Sequence, residues 1–212
     1  MGDDANLLGF KGDLLMTAEI SLTMLLFSAT QLLAQHSSYT ERDGFYLGLS
    51  AGTWFPDGKN KVLGNPLMGG LIMELKSAKA AFSLVFDIIV NVKKTDTLLI
   101  KYNSELIKRN NYAAGQIGLD FDYQLYAKEK FSLEAGSGLG YGNITYYNPN
   151  KDIDVNKGSL YVSPGLSFRY YVGAKSHFKF RTQYYIANYK LKDRESTNFK
   201  GNYLTTKIIY SW

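Results

Sequence analysis

Residues 202–212 read NYLTTKIIYSW, and their side chains alternate between two faces until the stretch ends on an aromatic residue. This period of two predicts a β-strand, because successive side chains of a strand point to opposite faces. One face is apolar, and the other carries Lys207. An unpaired edge would expose backbone groups and let a terminal strand fray, so pairing at both edges is expected. A closed barrel supplies that pairing; the alternative is the last strand of a soluble antiparallel sheet.

The same alternation recurs upstream in seven further runs, at 44–55, 67–76, 80–92, 112–126, 131–147, 158–172 and 177–189. Short connections alternate with longer ones at 56–66, 93–111, 148–157 and 190–200. Short turns at one end and long loops at the other predict an all-β fold, an eight-stranded antiparallel up-and-down transmembrane β-barrel. Pro164 predicts a bulge in the sixth run. Apolar pieces at 98–100 and 106–107 predict strands that extend past the main sheet.

The composition agrees with many strands. Of 212 residues, 17 are Tyr, 12 are Phe and 20 are Gly, whereas Pro occurs four times and Cys is absent. Aromatic residues favour strands, and the absence of Cys excludes disulfides and thiolate metal sites. The mean hydropathy of −0.19 agrees with a membrane barrel, whose alternating strands never build a long apolar run. This length accommodates one domain.

The charge distribution argues against a nucleic-acid partner. The net charge is +5, and residues 1–34 hold one of the 24 basic and four of the 19 acidic side chains, which leaves +8 on the remainder. The basic residues are spread one or two per strand and turn. A nucleic-acid interface would concentrate them on one stripe.

Aromatic side chains collect on the apolar faces near the short turns. Such rings suit the membrane–water interface, because the ring is apolar and its polar edge can meet water. We therefore predict an aromatic girdle at this end of the barrel. It consists of Phe45, Phe82, Tyr123, Phe131, Tyr170, Phe178, Tyr210 and Trp212.

The opposite faces carry acidic residues on the second to fifth strands and basic residues on the sixth to eighth. An eight-stranded barrel is just wide enough for side chains to fill it. We predict that these charges meet across a polar lumen as a structural network without an open pore, since a buried unpaired charge is costly. The alternative is the water-exposed face of a soluble sandwich. The predicted lumen charges are Glu74, Asp87, Asp120, Asp122, Glu134, Arg169, Lys179, Arg181 and Lys207.

Glycines occupy every second position from Gly136 to Gly142 in the fifth strand. The spacing differs from the dinucleotide-binding G-x-G-x-x-G pattern, and no helical pattern follows. We predict that these glycines make one face of the strand small, at a place where the sheet bends.

The first 34 residues are predicted to be a signal peptide. The interrupted apolar run at 20–34 has the length of a signal-peptide core and is too short to span a membrane as a helix. The segment before it is acidic, which is atypical of export signals. The predicted organisation is a signal peptide at 1–34, a periplasmic segment at 35–43 and the barrel at 44–212; the alternative is an amphipathic helix of the fold.

From residue 44 to the end, the chain resembles the small eight-stranded outer-membrane β-barrel proteins of Gram-negative bacteria, the OmpA/OmpX-like, porin-like group. The most specific element of the resemblance is Ile208-x-Tyr210-x-Trp212. It is similar to the C-terminal signal that the barrel-assembly machinery reads in this group, where the usual last residue is Phe. The resemblance implies location in the bacterial outer membrane, with outer-membrane lipid, lipopolysaccharide and the assembly machinery as partners.

Little in the sequence indicates catalysis. His36 and His177 are the only histidines, so no catalytic set, metal site or cofactor is predicted. His177 is expected at the short-turn rim, far from the outer leaflet where a lipid A-modifying barrel enzyme would act. We predict a structural or surface-interaction protein whose outer loops, especially 93–111, carry its contacts with an unidentified extracellular partner. The alternatives are that enzyme class and a soluble lipocalin-like binder of a hydrophobic ligand.

Overall fold

A computed structural model describes residues 42–91, 98–102, 105–109, 112–148, 153–173, 175–189 and 202–212. The predicted signal peptide and most of the predicted periplasmic segment lie outside the described residues. The described residues contain no helix long and apolar enough to cross a membrane.

The described residues form the strands β1 Gly44–Pro56, β2 Leu67–Ser77, β3 Ala80–Val90, β4 Leu98–Tyr102, β5 Glu105–Arg109, β6 Ala113–Lys128, β7 Phe131–Asn148, β8 Ile153–Tyr171, β9 His177–Ala187 and β10 Tyr203–Ser211. Eight of them form a closed antiparallel barrel in the order β1-β10-β9-β8-β7-β6-β3-β2, which confirms the predicted fold class. The two short strands, β4 and β5, pair with each other in a separate two-stranded sheet between β3 and β6 in the chain.

The last strand closes the barrel, as its alternation predicted. Strand β10 pairs with β9 on one edge and with β1 on the other. Trp212 continues the seam beyond the strand: its N–H donates to the Leu47 carbonyl at 2.8 Å, and its carbonyl accepts from the Leu47 N–H at 3.0 Å. Neither edge of β10 is therefore left unpaired.

Two local predictions need correction. The predicted loop at 148–157 is largely strand, because β7 runs to Asn148 and β8 begins at Ile153. The bulge predicted at Pro164 is wrong, since the register between β8 and β9 is the same on both sides of it, from Val162↔Ile186 to Gly165↔Gln183. A register shift lies instead in β6, opposite β7, between Gln124 and Tyr126.

The two faces of the barrel differ in chemistry. Every barrel strand exposes large apolar side chains on the outside, such as Leu119 at 65% and Leu160 at 72%. The buried charged side chains face the lumen. At the loop end a 3-10 helix, Gly58–Leu63, follows β1. Leu63 at the end of that helix is buried, and its carbonyl accepts a hydrogen bond of 2.8 Å from the Tyr112 hydroxyl.

Candidate functional site

The lumen is the candidate site, because the buried polar side chains converge there. All nine predicted lumen charges lie inside the barrel and are no more than 4% exposed. Seven of them form one cluster towards the short-turn end, which we name the charge cluster. It consists of Glu74, Asp120, Asp122, Glu134, Arg169, Lys179 and Arg181.

Arg169 on β8 joins two carboxylates across the lumen. Its Nη1 and Nη2 donate to Glu74 Oε1 and Oε2 at 2.5 and 3.0 Å. Its Nε and Nη2 donate to Glu134 Oε1 and Oε2 at 2.7 and 3.1 Å. The guanidinium thus forms a bidentate pair with each carboxylate, the geometry that gives strong charge-assisted hydrogen bonds.

The two other cations extend the cluster along β9. Lys179 Nζ contacts Glu74 and lies 3.2 Å from Asp122 Oδ2 and 3.4 Å from Glu134 Oε2. Arg181 pairs with Asp120 and with Asp122. Each cation of the charge cluster therefore meets at least two carboxylates, which offsets the cost of removing these charges from water.

A separate ion pair lies on β3 and β10. Lys207 Nζ is 2.8 Å from Asp87 Oδ2. Gln116 donates to the same oxygen at 2.9 Å, and Ser50 donates to Asp87 Oδ1 at 3.1 Å. The predicted network is thus divided into the charge cluster and this Asp87–Lys207 pair.

Lys76 is a buried cation that the sequence analysis missed. It is 3% exposed, and its Nζ donates to the Ala78 carbonyl at 2.5 Å. With Lys76 included, the buried charged side chains of the described residues are five carboxylates and five Lys or Arg cations. The lumen is therefore electrically balanced. The alternation of side chains in β2 already predicts this position, because Lys76 follows Glu74 by two residues and so lies on the same face.

The loop-end half of the lumen is aromatic, which differs from the uniformly polar lumen that the charges predicted. Trp54 stacks on Tyr203 with ring centroids 4.3 Å apart, and Tyr203 stacks on Tyr185 at 4.8 Å. Tyr185 also contacts Tyr161 at 4.8 Å. Tyr189 approaches the Tyr203 hydroxyl at 3.5 Å, and burial raises the pKa of the Tyr189 phenol to about 12. We name these five residues the aromatic cluster.

Two glutamines connect the halves. Gln116 Nε2 donates to the Tyr185 hydroxyl at 3.3 Å as well as to Asp87. Gln183 Nε2 donates to Asp120 Oδ1 at 3.3 Å, while its Oε1 accepts from the Tyr185 hydroxyl at 3.3 Å. Each glutamine side chain contacts a buried carboxylate on one side and the Tyr185 hydroxyl on the other. The hydrogen-bonded interior is therefore continuous from the buried charges to the aromatic rings.

The alternating glycines of β7 provide room for this filling. A Cβ on Gly136 or Gly138 would collide with the carboxylates of Asp122 and Asp120 respectively. A Cβ on Gly140 would collide with the Tyr161 ring. The small face predicted from the sequence is thus the lumen face of β7, and large side chains from neighbouring strands occupy its space.

The short-turn mouth of the lumen is covered by residues next to β1. His177 is fully buried between the rings of Tyr46 and Tyr171, at centroid distances of 5.0 and 5.6 Å. Arg42 lies over the Tyr171 ring at 4.1 Å, and its carbonyl accepts from the Tyr46 hydroxyl at 2.7 Å. Asp43 Oδ1 accepts from the Ala78 N–H at 2.9 Å. His177 is therefore enclosed by aromatic rings at this mouth.

The predicted girdle residues all point outwards and are exposed or half-buried. Four of them form one row across adjacent strands, through the pairs Phe131↔Tyr170, Tyr170↔Phe178 and Phe178↔Tyr210. Trp212 extends the row, with its ring 5.8 Å from that of Tyr210. The predicted assembly signal, Ile208, Tyr210 and Trp212, lies on this outer face as well.

In the part of the chain that the structure describes, no group of three or more His, Asp or Glu residues is arranged to hold a metal ion. The carboxylates inside the lumen have ammonium and guanidinium partners. This arrangement is suited to holding the barrel together.

An apolar exterior around an interior of paired charges and stacked rings defines the class: a β-barrel that spans a membrane through its strands, as outer-membrane barrels do. NspA, the Neisserial surface protein A, has the same fold, with a TM-score of 0.55 and 15% identity over 79% of this chain and 97% of that chain. The chain therefore has the fold of the small eight-stranded outer-membrane barrels, which confirms the resemblance seen in the sequence.

Two further solved structures are similar at lower scores. They are the N-terminal barrel domain of Pseudomonas aeruginosa OprF (TM-score 0.49, 13% identity, 79% of this chain and 97% of that chain) and Ail, the attachment invasion locus protein of Yersinia pestis (TM-score 0.47, 12% identity, 79% and 94%). No protein-family model matches the chain, and neither does any curated protein.

Proposed function

We propose that the protein is an integral barrel of the bacterial outer membrane with a structural or surface-interaction role and a lumen closed to ions. The observation that carries this proposal is the filling of the lumen, where paired charges occupy one half and stacked aromatic rings the other. An ion would have to displace both sets to pass. We assign contacts with extracellular partners to the loops, especially 93–111, and contacts with phospholipid and lipopolysaccharide to the apolar exterior.

The distribution of side chains supports this proposal over its alternatives. A soluble lipocalin-like carrier has a polar exterior and an apolar cavity, whereas this barrel exposes Leu160 and Leu119 and buries its charges. A lipid A-modifying enzyme needs a reactive group near the outer leaflet. His177 instead lies at the short-turn end, enclosed by Tyr46 and Tyr171.

Cell fractionation with heat-dependent gel mobility tests the membrane barrel. We expect the protein in the outer-membrane fraction, with faster migration before heating than after it. A soluble protein without a mobility shift would contradict the proposal. Planar-bilayer recording of the refolded barrel tests closure, and we expect no conductance above that of the bare membrane. Stable ion conductance by the unaltered barrel would show that the lumen is open.

We further propose that the barrel-assembly machinery reads Ile208, Tyr210 and Trp212. All three side chains lie on the outer face beside the seam. Trp212→Phe should retain outer-membrane assembly in cells, because position 212 stays aromatic, whereas Trp212→Ala should lower it. Equal assembly of the Phe and Ala variants would contradict recognition of the aromatic ring at position 212. Refolding of both variants in detergent separates loss of recognition from loss of stability.

A further inference from the structure

We propose that the short-turn rim of the barrel binds the phosphate groups of anionic phospholipids in the inner leaflet. This inference rests on the proposed outer-membrane location and adds a lipid class and a binding surface to it. The surface consists of four exposed lysines, which we name the rim lysines: Lys79, Lys128, Lys130 and Lys175.

The first observation is the charge of this rim. Each of the three short turns, between β2 and β3, β6 and β7, and β8 and β9, carries at least one rim lysine. Among the described residues of these turns, Glu129 is the only exposed acid, and Asp43 beside them already accepts a hydrogen bond from Ala78. In the barrel order the three turns are distributed around the circumference. Lipids on several sides of the barrel therefore lie next to a lysine ammonium group.

The second observation is the depth of the lysines. Lys79, Lys130 and Lys175 precede the outward-facing Phe82, Phe131 and Phe178 by one to three residues. At about 3.3 Å per strand residue, the Cα atoms of these lysines lie within roughly 10 Å of the Cα atoms of the phenylalanines. Aromatic rings of this kind lie at the membrane interface, and flexible lysine stems extend from the apolar surface towards the phosphates.

These positions favour lipid over the cell wall as the partner. A cell-wall polymer would need no apolar surface beside the charges, whereas the turns with Lys130 and Lys175 lead into β7 and β9, whose Phe131 and Phe178 belong to the outward-facing aromatic row. Short turns face the periplasm in barrels of this type. The inner leaflet is therefore the lipid layer that these lysines contact.

Trp212 supplies a reporter at this rim. It is 49% exposed on the outer face, whereas Trp54, the other tryptophan, is 1% exposed inside the lumen. The chain with Trp54→Phe would be refolded into vesicles that contain brominated phosphatidylglycerol or brominated phosphatidylcholine. Quenching of Trp212 then gives the relative affinity of the two lipids at the rim. If Trp54→Phe fails to fold, Trp54 is kept as a constant background, because lipid does not reach the lumen.

We expect about a fivefold preference for phosphatidylglycerol, which corresponds to one lysine–phosphate contact of about 1 kcal/mol. Changing the four rim lysines to Gln should abolish the preference, and high salt should weaken it. A control that removes two charges at the loop end, Lys61→Gln with Lys157→Gln, should retain the preference, and so the loss should require the rim positions.

Three outcomes would overturn the inference. One is a folded barrel that shows no lipid preference, and another is a preference that survives the rim substitutions. The third is that the rim substitutions abolish binding to isolated peptidoglycan while the lipid preference is unchanged, which would assign the rim to the cell wall. A chain that does not enter vesicles and shows no heat-dependent mobility would contradict the proposed function itself.

Discussion

The two halves of the lumen are filled by different chemistry. Towards the short turns the filling is charged, and the single side chain of Arg169 makes four hydrogen bonds to two carboxylates. Towards the loops, Trp54, Tyr203 and Tyr185 form a stack of rings. Charge fills one half and aromatic surface the other, although the same strands line both.

This difference sets how each half tolerates change. A buried charge depends on a particular partner, since removing that partner leaves the full desolvation cost of the other group. Stacked rings depend mainly on buried area and shape, so a substitution that keeps the ring keeps most of the stabilisation. The short-turn half should therefore be intolerant of single substitutions, and the loop-end half should accept conservative ones.

The largest effect is expected for Arg169→Ala. It leaves Glu74 and Glu134 without their bidentate partner, and we expect a loss of about 3–5 kcal/mol in the free energy of unfolding. Urea unfolding of the refolded barrel in vesicles, followed by tryptophan fluorescence, measures this loss. Lys130→Ala, an exposed control, should change the value by less than about 0.5 kcal/mol. Equal values for the two variants would contradict a structural role for the charge cluster.

A loss of about 3 kcal/mol is expected for Lys207→Met, which leaves Asp87 buried without its cation. Adding Asp87→Leu should recover at least half of that loss, because the unpaired charge is then gone. A double-mutant cycle from the same unfolding curves gives the coupling. Additive losses would show that the two side chains act independently.

Glu134→Ala should lower the free energy of unfolding by about 1.5–3 kcal/mol, the value of hydrogen bonds to a charged group. The loss is smaller because Arg169 and Lys179 both keep Glu74 as a partner. Glu129→Ala, in the exposed turn beside β7, is the control. An unchanged unfolding free energy in Glu134→Ala would count against the network.

The smallest effect is expected for Tyr185→Phe in the aromatic cluster. The ring and its stacking on Tyr203 remain, so only the hydroxyl bonds to Gln116 and Gln183 are lost, at about 0.5–1.5 kcal/mol. Tyr170→Phe on the outer face should have no measurable effect. A loss in Tyr185→Phe as large as that in Arg169→Ala would remove the distinction between the two halves.

The sequence predicted the barrel because its period of two survives in every barrel strand, which assigns each side chain to the lumen or the outside. It did not predict which charges pair. Arg169 meets Glu74 although the two are 95 positions apart, and only strand order and barrel closure bring them together.

The aromatic filling of the loop-end half was not predicted either. Trp54 and Tyr203 share faces with lumen residues by simple alternation, so their burial was predictable, but their stacking depends on the register between β1 and β10. Strand ends were misjudged where alternation continues through polar residues, as in β8. Pro164 predicted a bulge that is absent, because the loss of one N–H at this position is accommodated without an extra residue.

Because the lumen face of β7 is formed by glycines, side chains from other strands fill the space beside it. Gly140 leaves space that Tyr161 occupies, and Gly142 leaves space that the Tyr189 hydroxyl occupies. Shortening both tyrosines would leave nothing on β7 to take their place. The loop-end half of the lumen could therefore be widened from one wall, which makes β7 the natural starting point for converting this barrel into an engineered channel.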